Sequence, residues 1–112
     1  MLRLGLRVIA RNTLSRFVPT LRGRKTQAAV KAALDAWYYE ASHAAWKNPA
    51  DVQKSCATAS ILSTERVVFS IKGNDYRLVT AVHYRPQIVY VKWIGSHAEY
   101  DSIDANTVRY GD

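Results

Sequence analysis

Three apolar runs between Arg66 and Asp101 alternate with polar positions and are separated by short polar segments. Their β-branched and aromatic residues, repeating with the two-residue period of a strand, are typical of a half-buried sheet. The predicted strands are Arg66–Ile71, Tyr76–Tyr84 and Ile88–Gly95, and the predicted turns are Lys72–Asp75 and Arg85–Gln87. Gly, Asn and Pro in the two turns favour tight connections. The pattern therefore predicts a three-stranded antiparallel meander around which the chain is organised.

Apolar residues at steps of three and four between Gln27 and Trp46 predict a helix with one buried stripe. The stripe consists of Val30, Ala33, Leu34, Trp37, Ala41 and Ala44. Pro49 should end this helix, because a residue that precedes proline is pushed out of helical geometry. Asn48 and Pro49 also suit the cap and first position of a second, short helix over Ala50–Lys54.

The segment before the long helix has weaker patterns. Leu6–Ala10 alternates and predicts an edge strand that leads into a first helix, with Asn12 or Thr13 as its cap. Met1–Gly5 is expected to be a loose extension, and Pro19–Lys25 a flexible loop.

The segments on either side of the meander complete the pattern. Cys56–Thr64, before it, is expected to be an irregular connection. After the last strand, Ser96 and Glu99 have the spacing of a capping box, which places the start of a helix at His97. The tail Ser102–Asp112 has weak periodicity and is expected to fray or to pack on a partner.

Length and charge narrow the class of protein. A chain of 112 residues can bury one core but not two, so residues 1–112 are expected to form a single α+β domain. The net charge of +7 and the pI of about 9.8 favour an acidic partner such as nucleic acid, an anionic membrane or an acidic protein. Residues 1–34 carry +8 and residues 35–112 carry −1, so the basic excess lies in the N-terminal third.

Cysteine and histidine usage argues against a disulfide or a metal site. A single cysteine, Cys56, cannot form an intramolecular disulfide, and His43, His83 and His97 lack metal-ligand spacing. No apolar run approaches the roughly 20 residues of a membrane span. We therefore expect a cytoplasmic protein without a metal, a cofactor or a membrane segment. The arginine-rich, acid-free start also fits a mitochondrial transit peptide, an alternative reading of composition alone.

Four segments of the chain together resemble the HigB toxin family, whose fold is RelE-like. They are Arg7–Arg11 with Thr13–Leu14, Ala36–Tyr38 with Ala45–Val52, Arg66–Val79, and Ile94–Asp101. The distinctive pieces are the corner Trp46-Lys-Asn-Pro49, the turn Gly73-Asn-x-x-Arg77 and the end His97-x-Glu-Tyr-Asp101. The resemblance covers Leu6 to about Ile103, whereas the loop Pro19–Lys25 looks longer and more basic than the family pattern.

The resemblance implies a RelE-like fold of strand, two helices, meander and short C-terminal helix. It also implies the toxin of a type II toxin–antitoxin pair, a ribosome-dependent endoribonuclease that cleaves mRNA. A HigA-type helix-turn-helix antitoxin would neutralise it in a hetero-oligomer. On this reading the arginine-rich start is the first strand and helix of the domain, so the transit-peptide alternative falls away.

Candidate catalytic residues lie at the ends of the predicted strands. RNA cleavage without a metal needs a deprotonated 2′-hydroxyl, a neutralised phosphate charge and a protonated leaving oxygen. Arg77 and Lys92 lie where antiparallel strand ends meet, so both are expected to stabilise the pentavalent phosphorane, with Asn74 positioning the RNA. The alternatives are a salt bridge from Arg77 to Asp75 or Glu99 and, for Lys92, burial beside Tyr90 and Ile94.

His97 and Tyr100 are candidates for proton transfer. His97 lies at the predicted boundary of strand and helix, Tyr100 shares its helix face, and Asp101 is placed to orient a neighbouring histidine or cation. The alternative is that His97 and Tyr100 only cap and pack the helix. Lys47, Arg66 and Lys72 are candidate phosphate contacts, although a solvated surface is the usual fate of such residues. His83, in the middle of a strand among apolar residues, reads as structural.

The N-terminal cations are expected to act elsewhere, in docking to ribosomal RNA or to an acidic antitoxin segment. They are Arg3, Arg7, Arg11, Arg16, Arg22, Arg24 and Lys25.

The main alternative function is a non-catalytic RNA-binding module that stacks bases on Tyr76, Tyr84 and Tyr90. A DNA-binding antitoxin is disfavoured because no recognition helix follows a tight turn.

Overall fold

A computed structural model of the protein describes residues 6–9 and 11–108, without the side chains of residues 11 and 12. The helices are α1 (Arg11–Phe17), a 3₁₀ turn (Val18–Leu21), α2 (Gln27–His43), α3 (Pro49–Ser55) and α4 (His97–Tyr100). The strands are β1 (Arg7–Ile9), β2 (Ser60–Ile61), β3 (Arg66–Ile71), β4 (Tyr76–His83) and β5 (Ile88–Ser96). The expectations for Met1–Gly5 and for the last residues of the tail lie outside the described residues.

The strands of the described chain form one five-stranded sheet in the order β1-β5-β4-β3-β2. β1 runs parallel to β5, whereas the other neighbours are antiparallel. The α+β class is confirmed, and the three predicted strands are present with ends that differ by one residue at most. The sheet is nevertheless larger than a three-stranded meander. β1 is the predicted edge strand, while the two-residue β2 lies in the segment predicted to be irregular, because so short a strand leaves no alternation to detect.

Helix boundaries follow local chemistry. α3 begins at Pro49, and the Asn48 side chain accepts a hydrogen bond of 3.0 Å from the Asp51 amide, so the predicted cap is confirmed. α2 ends at His43, three residues before the predicted end, because Ala44 is extended (φ −77°, ψ 156°). This early end lets the chain turn so that the Trp46 ring stacks on Phe69 at 5.8 Å.

Two expectations for the N-terminal segment are wrong. α1 begins at Arg11, before both Asn12 and Thr13, so neither residue is the predicted cap. The predicted loop Pro19–Lys25 begins inside a 3₁₀ turn and continues in hydrogen-bonded turns, and Leu21 is buried in the core. Within the described residues, α2 is the longest helix at 17 residues, and none is long and apolar enough to cross a membrane.

The helices cover one face of the sheet, which we call the helix face. Strand residues that point to it are buried with side chains of α1, α2 and α3 in the main core. On β3 and β4 these are Val67, Phe69, Ile71, Tyr76, Leu78 and Val82. Alternate residues of the same strands must point to the other side of the sheet, which we call the tail face.

The tail face is covered by the end of the chain. Val68 and Val79 form a small cluster there with Ala105, against which Ile103 and Val108 pack. Arg66 fixes this segment through a guanidinium nitrogen that donates to the carbonyl oxygens of Ala105 (3.3 Å) and Val108 (2.8 Å). As far as Val108, then, the tail packs on its own sheet, and the expectation of fraying or packing on a partner is wrong for these residues.

Candidate active site

Arg77 lies on the tail face of β4, opposite Ser70 of β3 and Gly95 of β5. One of its terminal nitrogens donates to the Ser70 hydroxyl at 2.7 Å, and its guanidinium carbon lies 5.7 Å from the centre of the Tyr100 ring. The alternative salt bridge to Asp75 or Glu99 is absent from the described structure. Hydroxyl and ring hold the cation without neutralising it, so Arg77 retains its full charge for an anion.

His97 and Asn74 meet at the end of the sheet. Asn74 lies in the β3–β4 turn, whose backbone is left-handed at Lys72 (φ 53°) and Gly73 (φ 64°). His97 is the first residue of α4, and its backbone amide donates to the Asp75 carbonyl at 2.9 Å. The capping box between Ser96 and Glu99 is present as predicted, with bonds of 3.1 and 2.9 Å. Turn and cap together fix the position of the imidazole.

The surroundings of the His97 ring distinguish its two nitrogens. Nδ1 lies 3.2 Å from the Asn74 carbonyl oxygen and 3.4 Å from the Asn74 side-chain nitrogen. Since a carbonyl can only accept, that bond forms when Nδ1 carries a proton, which leaves the Nε2 lone pair of the neutral ring free to take one. Nε2 lies 3.8 Å from an Asp101 carboxylate oxygen. The arrangement suits a group that gains and loses a proton.

Ser70 links these two parts and was missed by the sequence analysis. Its hydroxyl accepts from Arg77 and lies 3.5 Å from the Asn74 side-chain oxygen. A polar chain therefore runs from Arg77 through Ser70 and Asn74 to His97. The register of the hairpin could have identified Ser70 from the sequence, since a symmetric β3–β4 pairing about the turn sets Ser70 opposite Arg77.

Lys92 is not brought into this group. A β-bulge shifts the β4–β5 register between Val79 and Thr80, so that Val79 pairs with Trp93 and Thr80 with Val91, and Lys92 is the extra residue. The expected alternation fails here, because Ile94 belongs to the helix-face core while Lys92 lies over the Tyr90 ring at 5.2 Å. Three residues of strand, roughly 10 Å, separate Lys92 from the Gly95 position beside Arg77.

Of the three predicted phosphate contacts, only Lys72 lies near this group, in the same turn as Asn74. Lys72 is paired with Asp75 at 2.8 Å, an interaction that raises the pKa of its ammonium group. Arg66 is bound to the tail, as described above. Lys47 follows Trp46, whose carbonyl accepts from Gln87 (2.6 Å) in the β4–β5 turn, at the other end of the strands. None of these three joins the Arg77–His97 set.

The three tyrosines proposed to stack bases are not equivalent. Tyr76 is buried in the helix-face core, and Tyr84 packs against that core with a hydroxyl that has no hydrogen-bond partner in the described structure. Tyr90 alone of the three lies on the tail face, edge-on to His83 at 5.1 Å. Two of the three are therefore unsuited to stack bases.

Gly95 allows the Trp93 ring to pack close to the backbone beside Arg77. A Cβ at this position would lie 2.4 Å from the end of the Trp93 indole and 3.2 Å from a Glu99 carboxylate oxygen. Trp93 can cross over Gly95 towards Tyr100, with the two rings 6.4 Å apart, only because no side chain intervenes. The Tyr100 ring, which contacts the Arg77 guanidinium, is therefore itself packed against Trp93.

Residues 30–103 match the family model described as HigB_toxin, RelE-like toxic component of a toxin-antitoxin system. The matched segment comprises 74 of the 112 residues. It contains the whole polar chain from Arg77 to His97. No curated protein matches the chain significantly.

Proposed function

The chain belongs to the HigB family of RelE-like toxins in toxin–antitoxin systems, and from this premise we propose that it is an endoribonuclease that cleaves mRNA on the ribosome. The observation that carries the proposal is the polar chain Arg77–Ser70–Asn74–His97. It sets an unneutralised cation and a base with a free lone pair at one end of the sheet, the two groups that cleavage through the ribose 2′-hydroxyl requires.

In the proposed reaction, His97 Nε2 takes the proton of the 2′-hydroxyl. The 2′-oxygen then attacks the adjacent phosphorus, and the P–O5′ bond breaks to leave a 2′,3′-cyclic phosphate. The leaving 5′-oxygen must gain a proton, and Tyr100 is the phenol that lies beside Arg77. Arg77 stabilises the charge of the phosphorane, a contribution typically worth about 10²–10³ in rate for one well-placed donor.

The remaining side chains position these groups. The Asn74 carbonyl oxygen accepts from Nδ1 of His97, and an Asp101 carboxylate oxygen lies 3.8 Å from Nε2. Lys92, which lies further along the tail face, would contact a neighbouring phosphate and not the reacting one. Lys72, Lys47 and Arg66 are assigned no chemical step.

Family membership implies an antitoxin partner, and we propose that it is of the HigA helix-turn-helix type. Apart from Arg24, the cationic residues that precede the matched segment would contact ribosomal RNA or an acidic antitoxin segment. These assignments rest on charge and on the resemblance of the sequence.

The test is expression of wild-type protein and of His97→Gln, with His83→Gln as matched control, followed by mapping of new RNA 5′ ends. His83 is a histidine of the same sheet that packs on Tyr90 away from the site. We expect new 5′ ends within coding sequences for wild type and for His83→Gln, and a loss of roughly 100-fold or more for His97→Gln. Intact RNA bound to wild-type protein would favour the binding-module alternative. A folded His97→Gln protein with full cleavage would assign the histidine to packing alone.

A further inference from the structure

Two open cavities lie side by side where the segment 22–26 meets the start of α4. The first, of about 470 Å³, is lined by Thr26, Asn74 and His97 among others. The second, of about 480 Å³, is lined by Arg24, Leu21 and Glu99 among others. Tyr76 and Ser96 line both cavities, so the two are adjacent, and we call them together the trench. It begins at the proposed catalytic histidine and leads away from it to Arg24.

The backbone that carries Arg24 is tied to the core. The Arg24 amide donates to the Leu21 carbonyl at 2.9 Å, and the Arg24 carbonyl accepts from the Gln27 amide at 3.2 Å. Leu21 is only 4% exposed, and Gly23, at φ 82°, supplies the left-handed residue that the turn needs. The base of this side chain is therefore held in place before any ligand arrives.

The Arg24 side chain itself is exposed and makes no hydrogen bond or ion pair with the described residues. Glu99, the acidic residue on the same cavity, is engaged in the capping box through the Ser96 amide. The trench thus holds an uncommitted guanidinium at one end and the Asn74–His97 pair at the other. A guanidinium of this kind, supported by a fixed backbone, suits a phosphate.

We propose that the trench binds the RNA strand next to the cleavage site and that Arg24 contacts a phosphate neighbouring the scissile one. The inference rests on the proposed function, which sets the scissile phosphate at Arg77 and His97. A strand held there carries further phosphates across the surface, one per nucleotide, and the two adjacent cavities of the trench lie between His97 and Arg24. The segment that looks longer and more basic than the family pattern thereby becomes part of the substrate site.

The experiment compares Arg24→Ala with Arg22→Ala, both in the His97→Gln background so that RNA stays intact. Arg22 is an exposed cation of the same segment that lines neither cavity, so it controls for net charge. Fluorescence anisotropy would measure the affinity for short single-stranded RNAs, each with one uncharged methylphosphonate at a different position. We expect Arg24→Ala to weaken binding about 3–10-fold and to lower the salt slope by roughly 0.7, the value for one phosphate of a single strand.

The decisive result is a coupling between Arg24 and one phosphate. At one position the methylphosphonate should weaken binding to protein that retains Arg24 and leave Arg24→Ala unaffected. Equal losses for Arg22→Ala and Arg24→Ala at every position, or no RNA binding by protein that retains Arg24, would overturn the trench. Mapping of 5′ ends with His97 intact separates the two hypotheses: cleavage without coupling overturns only the trench, and coupling without cleavage overturns only the nuclease.

Discussion

The two faces of this sheet are built from alternate residues of the same strands, yet they have different tasks. Among the described residues, the helix-face core contains 19 buried apolar side chains, whereas the tail-face cluster contains three. The helix face is closed by helices that lie between β1 and β2 in the chain, and the tail face by a short segment fixed through Arg66. Stability therefore comes mainly from one face.

The difference explains where polar chemistry is tolerated. On the helix face the buried strand positions are apolar apart from Thr80, whose hydroxyl is satisfied by the Val67 carbonyl at 2.8 Å. On the tail face Arg77 and Ser70 are only half-buried, so a charge there keeps contact with water. Changes on the tail face should alter activity while leaving the fold in place, and changes on the helix face should do the reverse.

Substitutions of two adjacent residues of β4 should show the largest difference between the two faces. Leu78→Ala empties a fully buried helix-face position and should lower the free energy of unfolding by about 2–5 kcal/mol. Arg77→Ala, one residue away on the tail face, should reduce mRNA cleavage on translating ribosomes by about 10²–10³-fold. Urea unfolding and mapping of RNA 5′ ends would measure the two effects separately. Undiminished cleavage by a folded Arg77→Ala protein would contradict the catalytic role proposed for Arg77.

A smaller effect is expected where the tail face positions its own groups. Ser70→Ala removes the hydroxyl between Arg77 and Asn74 and should slow cleavage roughly 10-fold, with Ser70→Thr recovering most of the rate. Single-turnover measurements should assign the loss to the chemical step, because Ser70 orients Arg77 and is given no contact with RNA. A loss confined to RNA affinity would argue against this role.

The smallest effect concerns an imperfection of the helix face. The Tyr84 hydroxyl is buried without a partner in the described structure, so Tyr84→Phe should leave stability unchanged or raise it by up to about 1 kcal/mol. Burial also raises the pKa of the Tyr84 phenol, so the folded protein resists its ionisation. The unfolded chain ionises near pH 10, and stability should therefore fall as the pH rises from there through the folded-state pKa.

Urea unfolding of wild type and Tyr84→Phe at pH 7 and pH 10.5 tests this sign. The variant should lose less stability between the two values of pH than wild type does. An equal or larger alkaline loss in the variant would contradict the raised pKa of the Tyr84 phenol.

Much of this molecule could be read from its sequence where the signal is local. The three central strands, the Asn48 cap and the capping box at His97 each depend on a few neighbouring residues, and each is present. The approach of His97 to the turn that holds Asn74 was also anticipated, because antiparallel pairing of β4 with β5 brings these ends together, whereas Lys92 was wrongly expected there. These features need no knowledge of distant contacts.

The wrong predictions concern features that depend on contacts between residues distant in sequence. The bulge that displaces Lys92 arises in the pairing of two strands, and alternation along one strand cannot reveal it. α2 ends early because Trp46 is drawn into the core against Phe69, a contact between residues far apart in sequence. The tail packs on its own sheet through Arg66, which looked like a surface cation. In each case tertiary contacts override a local pattern.

The parallel pairing of β1 with β5 affects how the protein folds during its synthesis. Arg7 pairs with Ile88, so the edge strand made first must wait for one of the last to emerge before it can hydrogen-bond. At synthesis rates of about 5–20 residues per second, that interval is on the order of 4–16 s. Until then β1 and α1 cannot pack on β5. Each new copy of the toxin therefore completes its fold only after that delay.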